Sequence, residues 1–594
     1  MTPAALPRTR ALATVALLGL LTACGGQNPE SDSAALSQSD TRRSALAATG
    51  ATRTEAFRLL NQASFGANAS TLSRIQSVGT AKWIDEQLAM PAQDVHRTRW
   101  LAADAAIKKG DPKATAGNNE VISSIYERAL FADDQLRQRV KLALSEIFVI
   151  SLIEVSGTQA EMAASYYDML GRNAFGNFRT LLQDVTMHPA MGKYLSHLRN
   201  QPADPVTGRQ PDQNFAREVM QLFSIGLVQL NPDGTAKLSG GLPIPTYDQD
   251  DVAGIASTFT GFSWYGPDTS KPRFFGGDPA YADPNRYGTP MQGYPQYHAI
   301  TPKVFLGTQV PAQKVADPDA SVKIAVDTLF KHANVGPFIG RQLIQRLVTS
   351  DPSPAYVQRV ANKFANNGNG VRGDMKAVLR AVLNDKEARR AGVASGERYG
   401  KVREPILRVT AWLRAFNATS DSGKVLIAPT SDAATELNQT PLSSPSVFNF
   451  YRPGYIPAGG EADAARMTLP EMQITNETSI AGYANYMMGV VQRGIGPRGE
   501  DNLGERPDMQ PNYTAETALA EDPPALVTQV FDKLLPSSPS ATLRNEVLAA
   551  VQAHTMPPKR PDDSNALARD NAKARRVQTA ILLTLVSPEF IVQK

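Results

Sequence analysis

Apolar residues recur three and four positions apart along most of the chain, which is the spacing of one buried helix face. The clearest case begins at Asp134, where Leu136, Val140, Ala143 and Leu144 share such a face. Turn residues and helix-capping residues separate the periodic stretches. The pattern predicts helices over residues 134–153, 160–171, 178–187, 322–331, 337–348, 355–364, 374–383, 404–416 and 571–586.

Strand patterns are confined to a short region after residue 227. The sequence NPDG at residues 231–234 is a turn signal, because proline sets φ and glycine tolerates positive φ. A small hairpin is therefore predicted over residues 231–241. Residues 264–308 and 437–457 lack periodicity but contain many aromatic side chains, in which disordered segments are poor. Both stretches are predicted to be ordered, packed loops.

These patterns predict a mainly α fold. We expect one or more multi-helix, bundle-like domains with long irregular loops and at most small β-hairpins. A chain of 594 residues with 42% hydrophobic content exceeds one ordinary domain. Two helical subdomains are expected, residues 53–310, which include the loop rich in Pro, Gly and Tyr, and residues 311–594.

The first 23 residues have the pattern of an export signal. Arg8 and Arg10 precede an apolar run at residues 11–21, which is too short to cross a bilayer as a permanent helix. The run ends in LTAC at residues 21–24, similar to the lipobox of bacterial lipoproteins, whose leader is removed before an acylated cysteine. Cys24 is the only cysteine in the chain. This favours lipidation over an ordinary secretory signal with an incidental cysteine.

Residues 24–52 are small and polar and read as a flexible tether. Acyl chains on Cys24 would hold the protein on a membrane surface without a spanning helix. Gly25, rather than Asp, follows Cys24, and by similarity to lipoprotein sorting this predicts the outer membrane. The expected location is the cell envelope, with the protein facing the periplasm or the surface.

Charge and motifs exclude several classes of function. The formal net charge is +4, and removal of Arg8 and Arg10 with the leader leaves 4 − 2 = +2. No patch or arm concentrates Lys and Arg, so no nucleic-acid partner is predicted. The chain has no Gly-x-Ser-x-Gly elbow, His-Glu-x-x-His zinc motif, phosphate-binding loop or dinucleotide fingerprint. We therefore expect no cofactor.

The densest group of polar residues beside a strong helix pattern lies near residue 214. Asn214, Arg217, Glu218 and Gln221 share one face of a short predicted helix that stops at Gly226. Arg217 and Glu218 have two alternative interpretations. In the first they brace the fold, as an ion pair or through hydrogen bonds to loop carbonyls. In the second they take part in binding or catalysis. Of these alternatives, the brace is the favoured interpretation.

The sequence DQDD at residues 248–251 begins another predicted helix. Asp248 occupies the N-cap position, and Asp250 and Asp251 complement the positive end of the helix dipole. A calcium loop of the EF-hand type would need a glycine and a closing glutamate that this stretch lacks. Capping is therefore favoured over calcium binding.

Six stretches carry a family resemblance when taken in order. They are LLNQASFGANASTLSRIQSVGTAKWIDEQL at residues 59–88, QLRQRVKLALSEIFVIS at 135–151, NFAREVMQLFSIG at 214–226, DDVAGIASTFTGF at 250–262, KVFLG at 303–307 and LVSPEF at 585–590. Together they resemble the DUF1800 family of large exported bacterial proteins. The resemblance implies a mainly helical exported protein, often encoded beside an exported protein that resembles alkaline phosphatases and sulfatases. It implies no reaction.

Departures from the family pattern bear on metal binding. Many members carry histidines where this chain has Ser145, Ile147 and Phe223. We therefore predict no metal site here. The positions that match residue by residue are the site candidates Asn214, Arg217, Glu218, Asp251, His298 and Lys303.

Two functions from different classes remain open. The first is an interaction or scaffold lipoprotein that works with an exported partner, such as a protein resembling sulfatases and phosphatases. The second is a hydrolase or lyase that acts on an extracellular or envelope polymer with Glu218 and Asp251 as a carboxylate pair. Convergence of Glu218, Asp251 and His298 in one open cleft would favour the enzyme.

The remaining candidates have supporting roles in the enzyme hypothesis. Arg217 would hold an anionic or polyol substrate through two hydrogen bonds, with Asn214 beside it in the binding site. His298 and Lys303 would stabilise developing negative charge. In the alternative interpretation each is a structural hydrogen-bonding residue.

Overall fold

The protein folds mainly into α-helices, which confirms the predicted fold class. A computed structural model is 52% helical and 6% strand. Residues 51–594 form one compact unit. None of the helices in the described ranges combines the length and the apolar composition that crossing a membrane requires. The structure describes residues 50–153, 158–390, 398–497 and 506–594.

Two of the predicted segments, the export signal at 1–23 and most of the tether at 24–52, lie outside the described residues. The boundary at residue 310 between two subdomains stays a prediction. Helices from both sides of residue 310 pack together. Arg179 Nε, for example, donates to Asp327 Oδ1 at 2.8 Å.

The first half of the described chain begins its helices at polar capping residues. Thr52 and Glu55 form a capping box, and the Asn68 side chain accepts from the Thr71 N–H. The helices are α1 (Arg53–Ala63), α2 (Ala69–Val78), α3 (Thr80–Ala89), α4 (His96–Gly110), α5 (Asn118–Phe131), α6 (Gln135–Ser145), α7 (Thr158–Asn173), α8 (Phe178–Met187), α9 (Pro189–Tyr194), α10 (Asn214–Gln221), α11 (Gln249–Thr258) and α12 (Lys271–Phe275).

In the second half, proline opens several helices at a first-turn position, where its missing N–H costs nothing. Pro354 and Pro405 are examples. The helices are α13 (Pro318–Lys331), α14 (Val335–Leu347), α15 (Pro354–Ala365), α16 (Met375–Leu383), α17 (Lys386–Arg389), α18 (Pro405–Ala415), α19 (Gly460–Ala464), α20 (Glu477–Arg493), α21 (Thr514–Ala518), α22 (Pro523–Leu534), α23 (Ala541–Ala553), α24 (Ala566–Leu585) and α25 (Pro588–Ile591).

Strands occur in the described chain only as antiparallel pairs of two or three residues. The pair β1 (Leu238–Ser239) and β2 (Leu242–Pro243) overlaps the end of the predicted hairpin. The other strands pair as β3 (Phe262–Ser263) with β4 (Gln292–Gly293), β5 (Lys303–Phe305) with β6 (Thr308–Val310), β7 (Lys401–Val402) with β10 (Val592–Gln593), and β8 (Thr419–Ser420) with β9 (Met509–Gln510).

Helix α6 lies in the core, and all of its residues are buried. Periodicity predicts one buried face over residues 134–153, but the structure buries the opposite face too and ends the helix at Ser145. Neighbouring elements contact polar side chains of that face. Arg137 Nη1 donates to Gly171 O at 2.9 Å, and Lys141 Nζ lies 2.8 Å from His96 Nε2. Charged residues in an apolar helix therefore mark interior contacts here.

The chain turns sharply between α10 and residue 227. Gly226 has φ of 72°, and its N–H donates to Met220 O at 3.0 Å. A Cβ at this position would lie 2.9 Å from Phe338 Cε2. Glycine is therefore needed for the left-handed conformation and for the close approach of Phe338.

Candidate functional site

Asp251 links the start of α11 to a neighbouring turn. Its Oδ2 accepts from the Asp248 N–H at 3.0 Å, and its Oδ1 accepts from the Leu306 N–H at 2.6 Å. Asp248 in turn accepts from the N–H groups of Asp250 and Asp251 at 2.9 and 3.0 Å. The predicted capping is confirmed. Both carboxylate oxygens of Asp251 already hold backbone groups.

His298 and Lys303 are buried, with 4% and 1% of their surface exposed. The His298 Nδ1 lies 2.8 Å from Thr260 O, and its Nε2 lies 2.8 Å from Ser321 Oγ. Lys303 Nζ donates to Ala299 O at 2.6 Å. Burial lowers the pKa of His298 below its ordinary value and lowers the pKa of Lys303 to about 8. The His298 contacts tie the loop at residues 264–308 to the turn after α11 and to α13.

Arg217 and Glu218 do not form the predicted ion pair. Arg217 Nη2 donates to Gln249 Oε1 at 3.3 Å. Glu218 is 7% exposed, and its Oε2 has no hydrogen-bond partner among the described residues. Burial raises the pKa of Glu218, and the nearby Arg217 only partly opposes that rise. Asn214 is exposed, and its Nδ2 makes a long contact of 3.4 Å with Ser196 Oγ.

The three predicted catalytic side chains do not meet in one open cleft. Asp251 lies near the start of α11, whereas His298 contacts Thr260, beyond its end. Seven helical residues at 1.5 Å each already separate Asp251 from Thr258 by about 10 Å. None of the three lines the large cleft beside the end of α6. Their catalytic roles stay predictions, and the geometry does not favour them.

A cleft of about 640 Å³ lies beside the end of α6. Five separate stretches of the chain line it. Its apolar lining is both aliphatic and aromatic, as in many binding clefts. The lining comes from residues 146–147, the turn after α10 at 221–227, one face of α14, the loop at 447–456 and Gln473.

Amide and guanidinium groups interrupt this apolar lining. Gln342 and Arg346 lie one helical turn apart on α14, so both reach the same surface. Gln342 is 5% exposed, and its buried Nε2 has no hydrogen-bond partner in the described part of the chain. Leaving such a group unpaired costs about 1–3 kcal/mol. The cleft therefore holds unused hydrogen-bonding capacity.

Glu146 and Arg346 form the floor of the cleft. Arg346 Nε lies 3.4 Å from Glu146 Oε2, and Arg346 Nη2 donates to the main-chain oxygen of Glu146 at 2.8 Å. The Tyr451 hydroxyl donates to Glu146 Oε2 over 3.4 Å. Side-chain exposure of both Glu146 and Arg346 is only 3%, although both line the open volume.

A buried charge network lies beneath this floor. Lys401 Nζ is 3.6 Å from Glu404 Oε1 and 3.2 Å from Glu471 Oε1. Arg139 Nη2 lies 3.9 Å from Glu404 Oε1, and Gln439 Nε2 donates to Glu404 Oε2 at 2.9 Å. The network joins α6, the start of α18 and the 3₁₀ turn at Pro470–Ile474. Any displacement of Glu146 is thus transmitted to several elements.

The carboxyl groups of Glu146 and Glu404 are close enough to hydrogen-bond with each other. Burial and the negative charge of Glu404 raise the pKa of Glu146 well above its ordinary value. Burial also acts to raise the pKa of Glu404, but Lys401, the bond with Glu146 and Arg139 lower it to about 2. Of the two carboxyl groups, Glu146 therefore holds a proton more tightly than Glu404 does.

The three positions at which the family resemblance implies histidine lie around this region. Ile147 lines the cleft, and Ser145 lines a narrower cavity on the other side of Glu146. Phe223 is buried with its ring centroid 5.5 Å from that of Phe148. Within the described ranges, no group of three or more His, Cys, Asp or Glu side chains is placed to hold a metal ion.

Comparison with known proteins identifies the family. A family model described as "Protein of unknown function (DUF1800)" matches residues 58–592. The chain belongs to the DUF1800 family. No curated protein and no solved structure matches it. The DUF1800 match includes α10 and α11 as well as every stretch that lines the cleft.

Sequence reasoning missed the cleft of this DUF1800 protein, although two signals pointed towards it. Arg139 and Glu146 are charged residues inside the strongly apolar stretch at 135–151. The loop at 437–457, predicted to be a packed surface loop, carries Phe448 and Tyr455, which line the cleft. Neither signal reveals which distant segments come together.

Proposed function

We propose that this DUF1800 protein is an envelope lipoprotein that acts as an interaction protein, with its cleft receiving part of an exported partner. The export pattern at residues 1–23 and the single cysteine, Cys24, support the anchoring. The family resemblance supports a partner similar to sulfatases and phosphatases. Lys and Arg are not concentrated in any part of the sequence, so the sequence gives no support for a nucleic-acid partner.

The observation that carries this proposal is the open cleft with an unpartnered polar group in its lining. Asp251 and His298 place their polar side-chain atoms against backbone groups of the protein. Gln342 Nε2 is instead buried and unpaired beside about 640 Å³ of open space. A bound partner would pair it and cover the apolar lining.

The enzyme alternative, a hydrolase or lyase that uses Glu218 and Asp251, stays a prediction without a supporting contact. Asp251 already accepts hydrogen bonds from two backbone N–H groups, and it lies outside the cleft. Glu218 lies outside the cleft. The interaction role is therefore the function that the geometry supports best.

Site-specific photo-crosslinking in the cell envelope tests the interaction role. A benzophenone amino acid replaces Leu227, which lines the cleft and is 57% exposed. The matched control replaces Leu567 on α24, which is 75% exposed. We expect a discrete adduct with an exported protein from position 227 only. A Leu222→Trp substitution, which places a larger ring in the cleft lining and narrows it, should weaken that adduct. The same adducts from both positions would refute the proposal.

Anchoring has its own test. Cells are labelled with a fatty-acid probe, and the parent is compared with Cys24→Ser. We expect label on the parent alone, because Cys24 offers the only thiol in the chain. Equal labelling of the two proteins would contradict lipidation at Cys24.

A further inference from the structure

We infer that the part of the partner that enters the cleft is an extended polypeptide segment with apolar side chains and at least one carboxylate. This inference rests on the proposed function and names the chemistry of its partner. Its evidence is the arrangement of hydrogen-bond donors, cations and aliphatic side chains around the cleft.

Three glutamine side chains supply the cleft with donors. Gln221 Oε1 accepts from the Tyr247 hydroxyl at 3.2 Å, and Gln473 Oε1 accepts from the Arg452 N–H at 2.8 Å. Each oxygen is thus used by the protein itself. Gln342 Nε2 is buried without a partner among the described residues. Side-chain amides with free NH₂ groups suit the regularly spaced carbonyl oxygens of an extended peptide.

Two arginines make the cleft attractive to a carboxylate. The guanidinium of Arg452 lies over the Phe448 ring, 4.6 Å from its centroid, and forms no ion pair with a described acidic residue. Arg346 Nε lies 3.4 Å from Glu146 Oε2 and makes no hydrogen bond with a described residue, whereas Arg346 Nη2 donates to Glu146 O at 2.8 Å. Burial and Glu404 raise the pKa of Glu146, which weakens its charge pairing with Arg346. An incoming carboxylate would meet positive charge from both arginines.

Aliphatic side chains distinguish a peptide from an acidic sugar. Ile147, Leu222, Leu227, Val447 and Ile456 all line the cleft. Sugar rings stack on aromatic faces, but their hydroxyl groups lose hydration against aliphatic surfaces without gaining a hydrogen bond. Apolar peptide side chains gain free energy from the same surfaces.

Exposed apolar residues continue beyond the cleft, which favours a macromolecular partner over a small ligand. Leu238 and Leu242 of the β1–β2 hairpin are 60% and 72% exposed. This hairpin is joined to the rim, because Lys237 N–H donates to Gln229 O and Thr246 N–H donates to Leu227 O at 2.7 and 3.1 Å. Contiguous exposed apolar surface is typical of protein interaction sites.

A displayed library of random nonapeptides tests the inference. The full lipidated chain, held in mild detergent, is the bait, and Arg452→Gln and Arg544→Gln are compared with it. Arg544 is a matched control because its guanidinium also lies over a phenylalanine, 5.8 Å from the Phe531 ring centroid. We expect enrichment of peptides that have Asp or Glu beside large apolar residues.

The selected peptides are then measured by fluorescence anisotropy. Arg452→Gln, and a peptide with its carboxylate changed to an amide, should each weaken binding about tenfold through loss of a charge-assisted hydrogen bond. Arg544→Gln should bind like the parent. Three results would overturn the inference. The first is enrichment of basic peptides, and the second is an equal loss of peptide affinity in Arg452→Gln and Arg544→Gln. The third is stronger binding of an acidic sugar, tested as alginate oligosaccharides, than of any peptide.

These results separate the inference from the function on which it rests. If position 227 gives the crosslink but one of the overturning results is obtained, the interaction role stands. Only the inference that an acidic peptide enters the cleft is then refuted. Absence of the specific crosslink would refute the interaction role itself. Binding by Leu222→Trp equal to that of the parent would show that the selected peptides bind elsewhere and would also overturn the inference.

Discussion

The polar residues around α11 and those around the cleft are used differently. Asp251 and His298 contact backbone groups of another segment, and Lys303 donates to the backbone of Ala299 within its own loop. At the cleft, Gln342 Nε2 lacks a hydrogen bond among described residues, and Arg346 lies at the edge of open space. The first group joins loops to helices. The second retains binding capacity.

This difference teaches how to separate structural polar residues from candidate functional ones. Burial and a shifted pKa occur in both regions, so neither property distinguishes them. Unused hydrogen-bonding capacity beside an open volume does distinguish them. The following substitutions test that distinction, starting with the largest expected effect on stability.

Lys401→Met should cause the largest loss of stability. Lys401 is fully buried and lies within 3.6 Å of both Glu404 and Glu471. Its removal leaves buried carboxylates without their shared cation, which costs about 3–5 kcal/mol. Guanidinium denaturation measures the free energy of unfolding.

The control for Lys401→Met is Lys323→Met, which breaks an exposed pair with Asp327 at 3.0 Å. That pair should contribute at most about 0.5 kcal/mol. Similar losses in the two variants would show that the network beneath the cleft is not a buried structural unit.

Asp251→Ala should cost about 2 kcal/mol. The substitution removes a helix cap and leaves the Leu306 N–H without its acceptor. Asp250→Ala is the matched control, because Asp250 is exposed in the same turn and its side chain accepts no hydrogen bond from a described residue. It should cost about 0.5 kcal/mol through the helix dipole. If the Asp251→Ala protein is as stable as the parent, the structural role of Asp251 is contradicted and a functional role becomes the better interpretation.

Glu218→Gln should have the smallest effect, and it should stabilise the protein. The pKa of Glu218 is raised in the folded state, so the folded protein holds this proton more tightly than the unfolded chain does. Ionisation therefore destabilises the fold increasingly as pH rises from the unfolded pKa through the folded pKa. The variant should match the parent at low pH and melt higher at pH 8.

Thermal melting from pH 4 to pH 8 measures this difference. Glu546→Gln on α23 serves as the control for loss of one exposed carboxylate. A melting temperature of Glu218→Gln below that of the parent at pH 8 would support the interpretation, favoured by the sequence, that Glu218 braces the fold. An unchanged difference across the pH range would show that Glu218 is not the titrating group.

Much of the fold could be predicted because its signals are local. Helical periodicity placed the mainly α fold, and DQDD at 248–251 identified a helix cap that the structure contains. The polar face of Asn214, Arg217 and Glu218 was also visible, since side chains three and four residues apart lie together on a helix. The hydrogen-bond partners of these residues could not be predicted, because Gln249 contacts Arg217 only through the packing of α10 against α11.

The sequence by itself determined the mainly α fold, the helix cap at residues 248–251 and the family of this protein, because periodicity, cap chemistry and ordered motifs act over a few residues. Tertiary structure alone decided that Glu146, Gln221, Arg346 and Phe448 line one cleft. It also decided which buried charges are satisfied, since hydrogen bonding and desolvation depend on neighbours contributed by distant segments. Asp251 has such neighbours and is a structural contact, whereas Gln342 lacks one and faces an open space.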